Sequence, residues 1–131
     1  MEIIQGSLED TGFLKRYDKL FENCPQAFIQ QSSLWARVIS PIGPDTPIFL
    51  IAAEDGQDLA GLPLYLFEHP AGNVLTSVPQ PGPLGGVFHL PGLEDRVRQE
   101  LYRLLLCRAE ELAKQFHCFS WTVITNPFSD D

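Results

Sequence analysis

The sequence predicts an α/β fold, and three observations carry that expectation. An apolar run, Pro47 to Glu54, is followed by Asp55-Gly56 and a second apolar run, Leu59 to Phe67, the pattern of a β-hairpin. Apolar stripes at helical spacing stand on both sides of it, Phe13 to Phe21 before and Leu93 to Phe116 after. Cys118 to Ile124 then returns as a strand, and a crossover helix of this kind returns to a parallel partner. With 131 residues, the length prior gives a single domain over 1–131.

The elements follow in order. Ile3 and Ile4 mark a short first strand over Met1 to Gln5. Ser7 opens a helix with Glu9 and Asp10 in its first turn, where the dipole favours acids. Phe13, Leu14, Tyr17, Leu20 and Phe21 form its apolar face, and Asn23-Cys24-Pro25 ends it. Ala27 to Gln31 reads as extended. Ser32 or Ser33 caps a second helix through Ile39, with Trp35, Val38 and Ile39 as its apolar stripe, and Ser40 to Pro44 is a loop.

Pro47 to Glu54 is apolar almost throughout, as a strand covered on both faces requires. Within its partner, Pro63 lacks a donor and implies an edge, a bulge or a splayed position. Val74 to Val78 completes a three-stranded antiparallel meander. Pro79 to Gly86 is too rich in proline and glycine for regular structure. Val87 to Leu90 adds a short strand, the long helix runs from Leu93 to Phe116, and Asn126-Pro127 ends the last strand before a frayed tail.

Composition excludes several function classes. A 44% hydrophobic and 20% charged chain is globular, and one of this size buries roughly two thirds of its unfolded surface. The net charge of −8 repels phosphate backbones and anionic lipid, so no direct nucleic-acid partner is expected. No apolar run approaches the roughly 20 residues that span a bilayer, and no signal peptide is seen. Cys24, Cys107 and Cys118 are too few and too widely spaced for a disulfide framework. A reducing, cytoplasmic setting is expected, with Cys107 and Cys118 as small core residues.

No motif names a catalytic residue. His69, His89 and His117 lack metal-site spacing, no serine sits in G-x-S-x-G, and no phosphate-cradling glycine motif is present. Gly82 to Gly86 ends several residues before the long helix, so its amides miss the helix N-terminus and the loop reads as tight backbone packing. Cys24 lies near a helix C-terminus, which raises a thiol's pKa. Trp35 and Trp121 are expected as core anchors. Trp35 also follows the polar run Gln30 to Ser33, so its helix start can line a groove, and Tyr65 stands beside Pro63 where backbone can be left unpaired for a ligand.

Phe28-Ile29-Gln30-Gln31-Ser32-Ser33-Leu34-Trp35-Ala36 resembles the phe-x-gln-ser-x-x-trp-ala stretch of FemAB-type transferases, members of the GNAT acyltransferase superfamily. Phe49 to Tyr65 resembles their hairpin. Ser77-Val78-Pro79 with Leu84-Gly85-Gly86 resembles a loop of theirs, and the long helix and final strand keep the order. The resemblance runs from about Gln5 to Ile124. It implies an incomplete GNAT-like fold: strand, two helices, three-stranded antiparallel meander, long helix, strand. It further implies the first part of a two-domain enzyme that transfers an acyl or aminoacyl group to an envelope precursor or another small-molecule amine. Acetyl-CoA or an aminoacyl donor would belong to the full-length enzyme alone.

By the same resemblance Gln31, Ser32, Trp35, Arg37, Tyr65, Pro79, Gly85 and Gly86 line an acceptor groove. Three departures stand against the family pattern. The Gln/Arg-x-x-Gly-x-Gly/Ala loop for the CoA pyrophosphate is absent ahead of Leu93, Ile39 stands where a basic residue often meets the precursor's phosphates, and Leu84 replaces an aromatic. The chain alone is therefore expected not to be catalytic. A free-standing CoA-dependent N-acetyltransferase and an interaction module that dimerises through its last strand are the rival expectations.

Overall fold

Near-continuous apolar runs in two adjacent strands, Pro47 to Ala53 and Leu59 to Phe67, demand a cover on each face, and the architecture supplies both. The structure is a computed structural model that describes residues 1–41, 45–78 and 85–124. Its elements are β1 (Glu2–Gly6), α1 (Thr11–Glu22), a 3-10 turn (Ile29–Gln31), α2 (Ser33–Ile39), β2 (Asp45–Glu54), β3 (Gln57–Phe67), β4 (Asn73–Thr76), β5 (Phe88–His89), α3 (Asp95–Gln115) and β6 (Cys118–Thr122). Among the described residues the strands form one sheet in the order β1-β2-β3-β4-β6, with β5 beside β3. Every pairing is antiparallel except β4 with β6, which is parallel as the crossover helix requires.

The β2–β3 hairpin turns on Asp55 and Gly56, both at positive φ (52° and 77°), the two-residue geometry that matches strand twist. The alternation of side chains then divides the core in two. Ile48, Leu50, Leu62, Leu64 and Leu66 pack with Leu101, Leu105, Ala109 and Leu112 of α3. Phe49, Ile51 and Tyr65 point the other way and pack with Phe13, Leu14, Tyr17 and Leu20 of α1 and with Ala36 and Ile39 of α2. Tyr17 meets the rings of Phe49 and Phe88 edge-on at centroid distances of 4.9 and 5.4 Å.

Pro63 sits opposite Phe49 on the β2 side. On its other side, β5 pairs Ala60 and Gly61 while β4 pairs Tyr65 to Phe67. No described strand pairs Leu62 to Leu64 there, so the proline occupies a splayed position where a donor is not needed.

Several boundaries and burials differ from the sequence expectation. Helix α1 starts at Thr11, because the Asp10 carboxylate accepts from Phe13 N–H at 3.0 Å and caps it there. Ser7 instead closes a turn with Asp10 N–H. Ala27 to Gln31 is not extended: Gln31 Oε1 accepts from Phe28 N–H at 2.7 Å and folds the segment into the 3-10 turn. Ser32 is the cap of α2, accepting from Trp35 N–H at 3.1 Å.

Val38 is exposed beside Leu34, four residues earlier on the same outer face. Cys107 is exposed because it lies two residues from both Leu105 and Ala109, on the far side of α3, and Cys118 is only half-buried. Trp121 is no core anchor, since it lies on the sheet's edge strand. The expected loop over 42–44, the residues 79–84 and the tail from 125 onward lie outside the described residues.

Helix α3 ends through His117 at φ 54°, a left-handed conformation usually given to glycine, with its N–H donating to the Lys114 carbonyl at 3.1 Å. A side chain there costs about 1–2 kcal/mol. His117→Gly is therefore expected to raise the unfolding free energy by about 1 kcal/mol, read as a higher denaturant midpoint at unchanged slope. An unchanged or lower midpoint would show that the imidazole makes up for the strain.

Candidate functional site

The segment from Phe28 to Ile39 builds one wall of the candidate site. Gln31 anchors it. This side chain is fully buried: its Oε1 holds Phe28 N–H, and its Nε2 donates to the Gly86 carbonyl at 2.9 Å and to the Gly85 carbonyl at 3.4 Å. Its own carbonyl accepts from the Tyr17 hydroxyl at 2.6 Å. One residue thus ties α1, the 3-10 turn and the double-glycine segment together. Ser32 is likewise engaged, donating to the Ile29 carbonyl at 2.5 Å while it caps α2.

Outside this anchor, α1 and α2 enclose an open groove of about 370 Å³ lined by Asp18, Phe21, Ile29, Ser32, Leu34 and Arg37. Ser33 Oγ donates to Asp18 across it and holds the two helices together. The lining mixes apolar Phe21, Ile29 and Leu34 with the cation Arg37 and the carboxylates of Asp18 and Glu22, a surface suited to an amphipathic ligand. Ile39 is buried in the core. It therefore cannot meet a ligand's phosphates, and Arg37 is the groove's cation.

The expected site residues separate into two sets. Ser32 and Arg37 line the groove. Gln31, Gly85 and Gly86 do not line it and are joined to one another by the amide clasp. Trp35 packs on the α1–α2 side of the core, and Tyr65 is part of that core. The backbone of Tyr65 is paired on both sides, with Pro47 and Thr76, so the unpaired stretch of β3 lies at Leu62 to Leu64 instead. Pro79 lies outside the described residues. Sequence reasoning missed Asp18 and Phe21 of α1 and Ile29 of the 3-10 turn, two elements that meet only through packing.

Burial pushes the Cys24 thiol up to about 12, which leaves it protonated at neutral pH. Burial first, and then the neighbouring Tyr65, raises the Tyr17 phenol well above its ordinary value. Among the described residues no group of three His, Cys, Asp or Glu stands together as metal ligands. Among the same residues no helix is long and apolar enough to cross a membrane.

The described architecture matches solved structures. The crystal structure of FemX superposes with a TM-score of 0.65 at 18% identity, over 91% of this chain and 26% of that one. An aminoglycoside 6'-N-acetyltransferase from Acinetobacter haemolyticus gives 0.61 at 21% identity, over 98% of this chain and 82% of that one. A GNAT family acetyltransferase from Staphylococcus aureus gives 0.56 at 14% identity, over 100% of this chain and 94% of that one.

The chain has the GNAT fold. It spans about a quarter of the length of FemX and most of the length of the two acetyltransferases. No protein-family model matches the sequence, and no curated protein matches it significantly.

Within this GNAT fold, Gly85 is fixed by sterics. A Cβ there would lie 1.9 Å from the Ser77 carbonyl oxygen, so the two ends of the segment from Ser77 to Gly85 touch through backbone alone. Gly85→Ala must displace that backbone, and is expected to cost about 1–3 kcal/mol, the range for overpacking. A denaturant midpoint equal to that of the parent chain would refute the contact.

Proposed function

We propose that this chain is the acceptor-binding part of a FemAB-like N-acyltransferase, with the groove between α1 and α2 receiving the acceptor. The observation that carries it is the superposition on FemX over 91% of this chain, joined to the ordered motifs around Trp35, Pro63 and Gly85. The acceptor is an amine-bearing small molecule or envelope precursor. The donor, acyl-CoA or aminoacyl, is handled by chain segments of the larger enzyme. Glu94 and Asp95 stand at the start of α3. Carboxylates at a helix N-terminus compete with a pyrophosphate for the same positive end of the dipole, which supports a chain that does not bind CoA by itself.

Titration calorimetry of the chain with acetyl-CoA is expected to give no binding at millimolar ligand. Micromolar binding would overturn the division of labour. It would favour a free-standing N-acetyltransferase, the reading suggested by the 82% and 94% coverage of the two acetyltransferases.

A second reading has its own observation. Among the described residues β6 is an edge of the sheet, and Phe119, Trp121 and Ile124 are 71%, 39% and 40% exposed. Residues Cys118 to Ile124 carry no charge in a chain of net charge −8, so two copies can meet there without like-charge repulsion, and the edge lacks the charges that normally guard one. Such an edge recruits a second copy by antiparallel pairing. Light scattering is expected to give a dimer, and Trp121→Lys a monomer. A monomeric parent chain at high concentration would sink this reading.

A further inference from the structure

Helix α1 has a cavity on each flank. Asp18, Phe21 and Glu22 line the groove shared with α2. Arg16, Lys19, Leu20 and Asn23 line a second cleft of about 380 Å³, completed by Gly56, Gln57 and Asp58 at the end of the β2–β3 hairpin and by Leu90. At about 100° per residue the two sets project from opposite sides of the helix, with Phe13, Leu14 and Tyr17 packed into the core between them. The second cleft has the size of a small-molecule site, and acceptor binding in the α1–α2 groove leaves it without a role.

Its charges differ from those on the rest of the surface. Along α3, Arg98, Arg103, Arg108 and Lys114 each meet a carboxylate of their own helix. In the cleft, Arg16 forks onto Asp58, Nη2 donating to Oδ1 at 2.6 Å and Nε to Oδ2 at 3.2 Å. That pair spans α1 and β3, orients both side chains and neutralises Asp58. Lys19 has no ion pair among the described residues. It is therefore the uncompensated charge of the lining, a cation in a chain of net charge −8.

Donors gather around it. Glu54 pairs with Gln57 across the turn, which leaves the Gly56 N–H outside the ladder. A Cβ at Gly56 would meet nothing within 4 Å, so a ligand can approach the turn's backbone. The Lys19 ammonium brings three donors, and Arg16 keeps those of Nη1. Leu20 and the half-buried Leu90 supply apolar surface in the same lining.

We infer that this cleft is a second ligand site, for a small organic monoanion: a carboxylate with a short apolar tail, its head at Lys19 and the Gly56 N–H and its tail against Leu20 and Leu90. One uncompensated cation matches one negative charge. A phosphate dianion would set its second charge against Asp58.

The test is an ¹⁵N–¹H titration of the whole chain with sodium hexanoate, at ionic strength held constant with sodium chloride. The Gly56 and Gln57 amide cross-peaks are expected to move saturably. Hexanol, the tail without the charge, and inorganic phosphate, the charge without the tail, are expected to move them less. Lys19→Gln is expected to weaken hexanoate binding about fivefold, the scale of one ion pair at a surface. Lys15→Gln, which removes an exposed cation of α1 that does not line the cleft, is expected to leave binding unchanged. Both side chains are exposed, so both variants keep the fold. Silence of the two amides towards hexanoate would overturn the inference, and so would a response to hexanol or phosphate as strong as that to hexanoate. Equal weakening by Lys15→Gln and Lys19→Gln would also overturn it, by showing general attraction to a basic helix face. None of these readouts involves acyl transfer or the α1–α2 groove, so the fate of the transferase reading and the fate of this site are separate results.

Discussion

The two central strands are buried on both faces, and the rest of the fold answers to that constraint. Because side chains alternate along β2 and β3, one set of leucines and isoleucines requires α3 above the sheet, while Phe49, Ile51 and Tyr65 require α1 and α2 below it. A single-faced sheet would need only one layer of helix. The chain connectivity follows, with two helices before the hairpin and one after it. The parallel return of β6 beside β4 is the consequence of α3 crossing the upper face.

Gln31 links this scaffold to the candidate site. Its amide meets a donor at Phe28 and acceptors at Gly85 and Gly86, residues more than fifty positions away in the chain. Removing a buried side chain of this kind orphans several backbone groups, at about 1–3 kcal/mol each. The clasp therefore holds the 3-10 turn, the start of α2 and the double-glycine segment in one arrangement. The groove between α1 and α2 inherits its shape from that arrangement and not from the residues that line it. A glutamine in a motif that resembles a ligand-binding stretch thus acts within the protein, holding the segment that carries Ser32 and Arg37.

The same face also holds what the core does not satisfy. Tyr17 and Tyr65 are both fully buried phenols of one cluster, yet only the first has an acceptor. Burial of an unpaired hydroxyl opposes folding, and the Trp35 indole N–H on the same side of the sheet is unpaired as well. The opposite face, filled by α3 with leucine and alanine, contains no such atoms among the described residues.

By itself the sequence determined the alternation of helix and strand, the hairpin at Asp55-Gly56, the crossover to a last strand, a helix cap at Ser32 or Ser33 and the order of motifs that resembles FemAB-type transferases. These are local: periodicity, turn residues and caps act over a few positions, and each element declares itself. The candidate site was less legible. Ser32 and Arg37 stood in the motif, whereas Asp18, Phe21 and Ile29 joined them only by packing. Whether Trp121, Val38 and Cys107 lay inside or outside depended on which element covered them, and that is a property of the sheet's edge and of helix azimuth, not of residue type. Tertiary structure alone decided that Gln31 would clasp Gly86 and that Tyr65 would go unpaired, because a hydrogen bond between distant residues has no spacing to be read along the chain.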